Sequence, residues 1–321
     1  MIRPKSLIGA PSSVGIRPYD DGTPRRLDLA PATLRKHDLA ARIGVHDLGD
    51  VISPPYRDFV RTAGKPRNEA EVAVYSRALA SRVAGVRDRD AFLVLLGGDC
   101  SIVLGALLGF RLRGHPRVGL VYVDAHADFA TPETSRTGSA ASMCLALAVG
   151  RGDTPLARLN GGLPLVREED VAILGRHDDT DEMWYGEDVL RSLPLLDLPR
   201  HAVRDRGPMS AAEAALERVA RSDMDGFWIH VDADVLDPTV LPAVDSPEPG
   251  GLTLEELTEL LIPLAQHPLA LGLELTIYDP ALDADGASGE RLVSLLERLL
   301  GSASAPTVRS PYWEELARSH R

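Results

Sequence analysis

The chain has little cysteine, little excess positive charge and no long apolar run. Its two cysteines, Cys100 and Cys144, cannot form the disulfide framework of a small secreted protein. No apolar run approaches the roughly 20 residues needed to cross a bilayer, and no apolar stretch typical of a signal peptide follows the N-terminus. These shortages predict a soluble, cytoplasmic protein.

Negative charge dominates the surface chemistry of this sequence. Lys and Arg number 35 against 47 Asp and Glu, so the formal net charge is -12, which argues against nucleic acid or an anionic membrane as a partner. Hydrophobic residues make up 44% of the 321 residues, enough for a large core. We expect one domain over residues 1–321 that acts on a small molecule.

Short apolar runs alternate with helical patterns along the chain. The runs are apolar almost throughout, as in parallel strands that are covered on both faces. They are Lys5–Ile8, Ala91–Leu96, Val118–Val123, Val171–Leu174, Gly226–Val231 and Leu269–Leu275. The helical patterns are Glu69–Val86, Ala211–Arg221, Thr253–Leu264 and Ser288–Leu300. This alternation predicts an α/β fold, a doubly wound and mainly parallel sheet with helices on both faces.

Two details refine this outline. Thr253, followed three residues later by Glu256, is typical of a helix start closed by a capping box. The segments Pro194–Pro208 and Ser302–Pro311 are predicted to be surface connections.

Two short acidic runs follow predicted strands and carry the chemistry of the chain. Side chains two apart on an extended chain point to one side, and ligands of open α/β sheets bind at the carboxyl ends of strands. Massed carboxylates would repel one another unless cations neutralised them, which predicts a pair of divalent metals. Six residues at three strand ends are the candidate ligands: Cys100, Asp124, His126, Asp128, Asp232 and Asp234.

These motifs resemble the arginase–agmatinase–formimidoylglutamase superfamily of ureohydrolases. The resemblance rests on Gly97-Gly98-Asp99, on Asp124-x-His126-x-Asp128 and on Asp232-x-Asp234-x-x-Asp237-Pro238. It implies an arginase-like fold, two manganese ions bridged by hydroxide, and trimers or hexamers. It also implies that Asp128 hydrogen-bonds the hydroxide and accepts its proton. The ligands that carry over directly are Asp124, His126, Asp128, Asp232 and Asp234.

Three positions depart from the family pattern. Cys100 replaces a metal-binding histidine, and a thiolate favours zinc or iron over manganese. Ala141 stands at the position of a proton-shuttling histidine, and Ile277 at that of a glutamate that binds a guanidinium. We therefore predict two divalent metal ions, manganese first and zinc or iron as alternatives. We interpret Cys100 as a metal ligand in preference to the alternative, in which it is a small buried apolar residue.

Further residues could complete the site. His230 should face the same side as Asp232, deeper below the strand end, as a candidate proton donor. The interpretation of His230 that we prefer is a residue that orients a ligand carboxylate. By the resemblance, Arg176 and Asp181 would contact the polar tail of the substrate. His177 follows a strand end and would either line the pocket or be solvated.

Two remaining residues have bland alternatives. Cys144 is predicted to lie in the core, and Asp245 either orients substrate or caps a turn, with neither reading favoured.

Two functional hypotheses follow. The leading one is a binuclear-metal hydrolase of linear C–N bonds in a small guanidine or amidine compound. Ile277 weakens the prediction that arginine itself is the substrate, so a modified arginine or a formimino compound is an alternative substrate. The alternative is a catalytically silent homologue that acts as a binding or assembly partner. The retained aspartates and His126 favour the enzyme.

Overall fold

One eight-stranded sheet forms the centre of the protein. The computed structural model describes residues 3–57, 61–177 and 187–301, without the side chains of residues 187 and 188. The strands are β1 Lys5–Gly9, β2 His46–Asp50, β3 Phe92–Leu96, β4 Val118–Val123, β5 Val171–Leu174, β6 Leu196–Leu198, β7 Gly226–Asp232 and β8 Ala270–Thr276. Their order is β2-β1-β3-β8-β7-β4-β5-β6, and every neighbouring pair is parallel. The predicted parallel α/β fold is confirmed.

Helices connect these strands and cover the sheet. In the described part of the chain the α-helices are α1 Ala30–Arg35, α2 Leu39–Ile43, α3 Glu69–Ala84, α4 Ile102–Leu112, α5 Cys144–Ala148, α6 Glu187–Ser192, α7 Arg200–Arg206, α8 Pro208–Val219, α9 Leu254–Ala265 and α10 Ala287–Leu300. Every residue of β3, β4, β7 and β8 is buried. Because successive side chains point to opposite faces, both faces of these strands must be covered.

The predicted helices α3, α8, α9 and α10 are all present, each within a few residues of its expected bounds. Thr253 and Glu256 form both hydrogen bonds of the capping box that begins α9. The sequence patterns did not indicate α4, because it is apolar on all sides and so lacks a helical period. None of the described helices is long and apolar enough to cross a membrane.

Two strands and one connection differ from expectation. Strand β2 is mostly exposed and rich in Asp, so it lacks the apolar signal of a buried strand. The prediction that Pro194–Pro208 is a surface connection is wrong, because the segment contains β6 and α7. The predicted connection Ser302–Pro311 lies outside the described residues, and one domain over 1–321 stays a prediction.

Candidate metal centre

Four neighbouring strands, in the order β3-β8-β7-β4, carry the candidate site at one edge of the sheet. All four run parallel, so their carboxyl ends meet at that edge. Cys100 follows β3, Ile277 follows β8, Asp234 follows β7 and Asp124 follows β4 directly. The convergence that the sequence predicted for three strand ends is therefore present, with β8 added.

The turn after β3 is held by a buried carboxyl group that places Cys100. Asp99 is fully buried, and its Oδ2 accepts hydrogen bonds from Ser12 Oγ at 2.7 Å and from Gly15 N at 3.1 Å. A Cβ atom on Gly98 would lie 2.1 Å from the backbone oxygen of Ser12. Only glycine lets the two loops approach this closely, so the Gly-Gly-Asp sequence is the local cause of the position of Cys100.

The first group of ligand-type side chains consists of Asp124, His126 and Asp234, whose ligand atoms all lie within 4.8 Å of one another. His126 Nδ1 lies 3.4 Å from Asp124 Oδ1 and 3.2 Å from Asp234 Oδ2. The His126 side chain is 26% exposed, whereas both carboxylates are buried. This group therefore lies nearest to solvent.

The second group, Cys100, Asp124, His230 and Asp232, lies deeper. Its ligand atoms also lie within 4.8 Å of one another, and all four residues are buried. Cys100 Sγ donates a hydrogen bond to Asp232 Oδ2 at 2.8 Å, and His230 Nε2 lies 4.0 Å from Asp124 Oδ2. Because Asp124 belongs to both groups, the two candidate metal positions are adjacent.

Without a cation, the pKa values of most of these groups shift toward the proton-bound form, whereas His126 lowers the pKa of Asp234 despite its burial. Burial and then the charge of Asp234 raise the pKa of Asp124, and they raise the pKa of Asp232 well above its usual range. Burial and the charge of Asp232 likewise raise the pKa of the Cys100 thiol. For His126, burial acts to lower the pKa, but Asp234 and Asp124 raise it well above its usual range. A bound cation would replace these protons by stabilising the deprotonated ligands.

Asp128 is in neither ligand group among the described residues. Its Oδ2 accepts hydrogen bonds from Tyr122 OH at 2.6 Å and from Cys144 Sγ at 3.3 Å. Asp128 has a φ of +46°, an uncommon conformation for a residue other than glycine. The structure thus gives Asp128 two partners on one oxygen, and its predicted roles as ligand and base stay predictions.

A cavity of about 290 Å³ opens onto the candidate metal centre. Cys100, His126, Asp128, Asp232 and Asp234 contribute to its wall, as do Ala141 and Ile277. Ile277 is buried with a φ of +67°, a strained conformation for a β-branched residue. The two positions that the family resemblance singled out are therefore cavity-wall positions, and both carry apolar side chains here.

Comparison with known proteins identifies the family. The model of the arginase family matches residues 5–301. The arginase of Bacillus subtilis is 30% identical over 292 residues, covering 88% of this chain and 95% of that protein. The solved structure of arginase from Bacillus caldovelox is 29% identical, with a TM-score of 0.83 over 94% of this chain and 99% of that one.

The chain belongs to the arginase family. This membership confirms the predicted resemblance and places the protein among the ureohydrolases. Formimidoylglutamase from Bacillus subtilis, at 22% identity and a TM-score of 0.72, shares the fold as well.

Of the residues proposed for substrate binding in this arginase-family site, Arg176 lines the cavity at the candidate metal centre, whereas the neighbouring His177 does not. Arg176 contributes to the cavity wall and donates a hydrogen bond to Asp197 Oδ2 at 3.0 Å. His177 is buried, with Nδ1 2.9 Å from the carbonyl oxygen of Gly175 and Nε2 3.2 Å from that of Glu248. Asp181 lies outside the described residues. The alternative of a solvated His177 is wrong, because its ring is buried.

Asp245 lies in the cavity wall, where Arg25 Nε forms an ion pair with its Oδ2 at 3.0 Å. Burial raises the pKa of Asp245 to about 6, although Arg25 opposes this. Whether Asp245 orients substrate or caps a turn stays open between the two predictions.

Three residues of this arginase-family chain were missed or underrated in the sequence. Tyr122, His230 and Glu274 are register partners across β4, β7 and β8. Tyr122 stacks on His230 with ring centroids 4.2 Å apart, and His230 Nδ1 lies 2.7 Å from Glu274 Oε1. The sequence did indicate Glu274, because a charged residue in an otherwise apolar buried strand needs a partner. Cys144 is buried as predicted but also contacts Asp128.

Proposed function

We propose that the protein is a binuclear-metal hydrolase of linear C–N bonds in a small guanidine or amidine compound. The observation that carries this proposal is the sharing of Asp124 by two groups of ligand-type side chains at one cavity. Membership of the arginase family supports the same chemistry.

The donor atoms fit a pair of divalent cations. Asp124 Oδ2 and His230 Nε2 are buried and have no hydrogen-bond partner within the part of the chain that the structure describes. An unpartnered buried carboxylate oxygen is costly unless a cation binds it. Imidazole nitrogens and carboxylate oxygens are ligands that manganese and zinc accept. Two cations bound here would lower the pKa of a shared water toward neutrality.

We assign the proton transfers to Asp128. It lines the cavity beside both ligand groups, and Tyr122 and Cys144 hold one of its oxygens in place. Attack of the water on the planar carbon releases a proton to this carboxylate, and the same proton can return to the leaving nitrogen as the C–N bond breaks. His230 is completely buried and is not in the cavity wall, so the geometry does not support it as the donor to the leaving group.

Two apolar positions in the cavity wall argue for a substrate other than arginine. Ile277 and Ala141 line the cavity and present neither charge nor hydrogen-bonding groups. Among the polar groups of the wall, we expect the ion pair of Arg25 with Asp245 to orient the substrate.

The test is product release from a panel of guanidines and amidines by protein loaded with manganese, zinc or both. We expect urea, ammonia or formamide from at least one compound. Asp234→Asn should lower kcat/KM by at least about 100-fold, because even partners outside the ligand shell cost 10–100-fold. Asp205→Asn, an exposed position on α7, is the matched control. No product from metal-loaded protein would refute the hydrolase and leave the silent homologue standing.

A further inference from the structure

His230 belongs to the deeper group of ligand-type side chains. Its side chain is fully buried, and its Nε2 points toward Asp124 Oδ2 at 4.0 Å. Both atoms lack a hydrogen-bond partner in the described ranges. Here a nitrogen lone pair and a carboxylate oxygen face each other in a buried place, and neither has a hydrogen-bond partner. A cation between them would satisfy both atoms.

Glu274 fixes which ring nitrogen of His230 is available. Nδ1 lies 2.7 Å from Glu274 Oε1, and both side chains are fully buried. A carboxylate there accepts a hydrogen bond from Nδ1–H and keeps the proton on Nδ1, so Nε2 keeps its lone pair for a metal. Tyr122 covers one face of the ring at a centroid distance of 4.2 Å with an interplanar angle of 8°, which restricts rotation of the imidazole.

The deeper group differs chemically from the outer one. It combines a thiol and an imidazole with the carboxylates of Asp124 and Asp232, whereas the outer group has His126 and two carboxylates. A tetrahedral zinc site with bonds of about 2.0–2.3 Å separates neighbouring ligand atoms by about 3.3–3.7 Å. The 4.0 Å between His230 Nε2 and Asp124 Oδ2 is close to that spacing.

We propose that Cys100, Asp124, His230 and Asp232 form a zinc-selective position, while the outer group of Asp124, His126 and Asp234 takes manganese. The inference rests on the proposed binuclear function and goes beyond it by giving the two positions different metals. Thiolate and imidazole donors favour zinc, and zinc binds more tightly than manganese to a given mixed site. Carboxylate-rich sites without sulfur suit manganese.

The first experiment is metal analysis of full-length protein incubated with one equivalent of zinc and an excess of manganese and then freed of unbound metal. We expect about one equivalent of each. A single equivalent of Co²⁺ in place of zinc should give a near-ultraviolet thiolate-to-cobalt charge-transfer band. X-ray absorption of wild-type protein with one equivalent of zinc should show one sulfur and histidine scattering, and this measurement needs no variant.

Variants separate the two positions. Cys100→Ser should abolish the charge-transfer band, and His230→Asn should weaken cobalt binding at least 10-fold. Glu274→Gln should weaken it about 10–100-fold by loosening the imidazole. His126→Asn should keep the band and lose manganese. His46→Asn, at an exposed histidine of β2, is the matched control. Circular dichroism confirms that each variant is folded.

The outcomes are distinct for each proposal. Two equivalents of manganese with no zinc preference would overturn the zinc position and leave the hydrolase intact. A zinc spectrum without histidine scattering, or His230→Asn binding cobalt as the wild type does, would remove His230 from the ligand set. Absence of any bound metal would overturn both the zinc position and the proposed function.

Discussion

Asp99 offers the sharpest test of how the fold holds the candidate site, through the substitution Asp99→Asn. Four donors surround this buried carboxyl group: Ser12 Oγ, Gly15 N and both the backbone N and the Oγ of Ser101. An amide keeps one acceptor oxygen and turns an NH₂ group toward two of these donors. One of the hydroxyls can rotate to accept, but a buried backbone N–H cannot.

A buried donor left unsatisfied costs about 1–3 kcal/mol, so with one backbone N–H unpaired we expect Asp99→Asn to lower the free energy of unfolding by about 1–3 kcal/mol. Urea unfolding of metal-free protein measures this difference. Asp21→Asn is the control, because Asp21 is exposed and accepts from Thr23 N at 2.8 Å, which an amide oxygen can also do. We expect a change below about 0.5 kcal/mol there.

The same variant should also bind less metal, because Cys100 follows Asp99 directly and depends on the turn. Equal stability of Asp99→Asn and the control would refute the role that we give to the buried carboxyl group. A destabilised variant with unchanged metal binding would show that the turn supports the fold but not the ligand.

Three further predictions concern protons and partners. Burial and neighbouring charge raise the pKa of Asp232, so metal binding should release protons and strengthen as pH rises; identical titration enthalpies in buffers of different ionisation enthalpy would contradict this. The hydrogen bond from Arg204 lowers the pKa of Glu256 to about 2, so its stabilisation is complete above about pH 4.5 and is lost as pH falls toward 2. Glu256→Gln should therefore cost about 1–2 kcal/mol at pH 7 after solvent screening and converge with wild type near pH 2 in urea unfolding. Tyr122→Phe removes the 2.6 Å hydrogen bond to Asp128 and should lower kcat about 10-fold or more with metal content unchanged; an unaltered kcat would argue against the role given to Asp128.

Local patterns determined much of this protein. The apolar strands, the capped helix α9 and the acidic motifs at strand ends all depend on spacings of two to four residues. The position of a strand and the side to which its terminal carboxylates point follow from the chain itself. The α/β fold, the placing together of Asp124, Asp232 and Asp234 at strand ends, and the family could therefore be predicted.

Tertiary contacts decided the rest. Register across β4, β7 and β8 places Tyr122, His230 and Glu274 side by side, although more than 40 residues separate each from the next in sequence. The hydrogen bonds of Tyr122 and Cys144 to Asp128 also depend on how separate segments pack. Such contacts carry no local period, and the free energy of a buried imidazole or carboxylate depends on neighbours that only the folded sheet supplies. The sequence alone therefore determined where the acidic candidate ligands lie, and the tertiary structure decided which of the buried atoms lack a hydrogen-bond partner among the described residues.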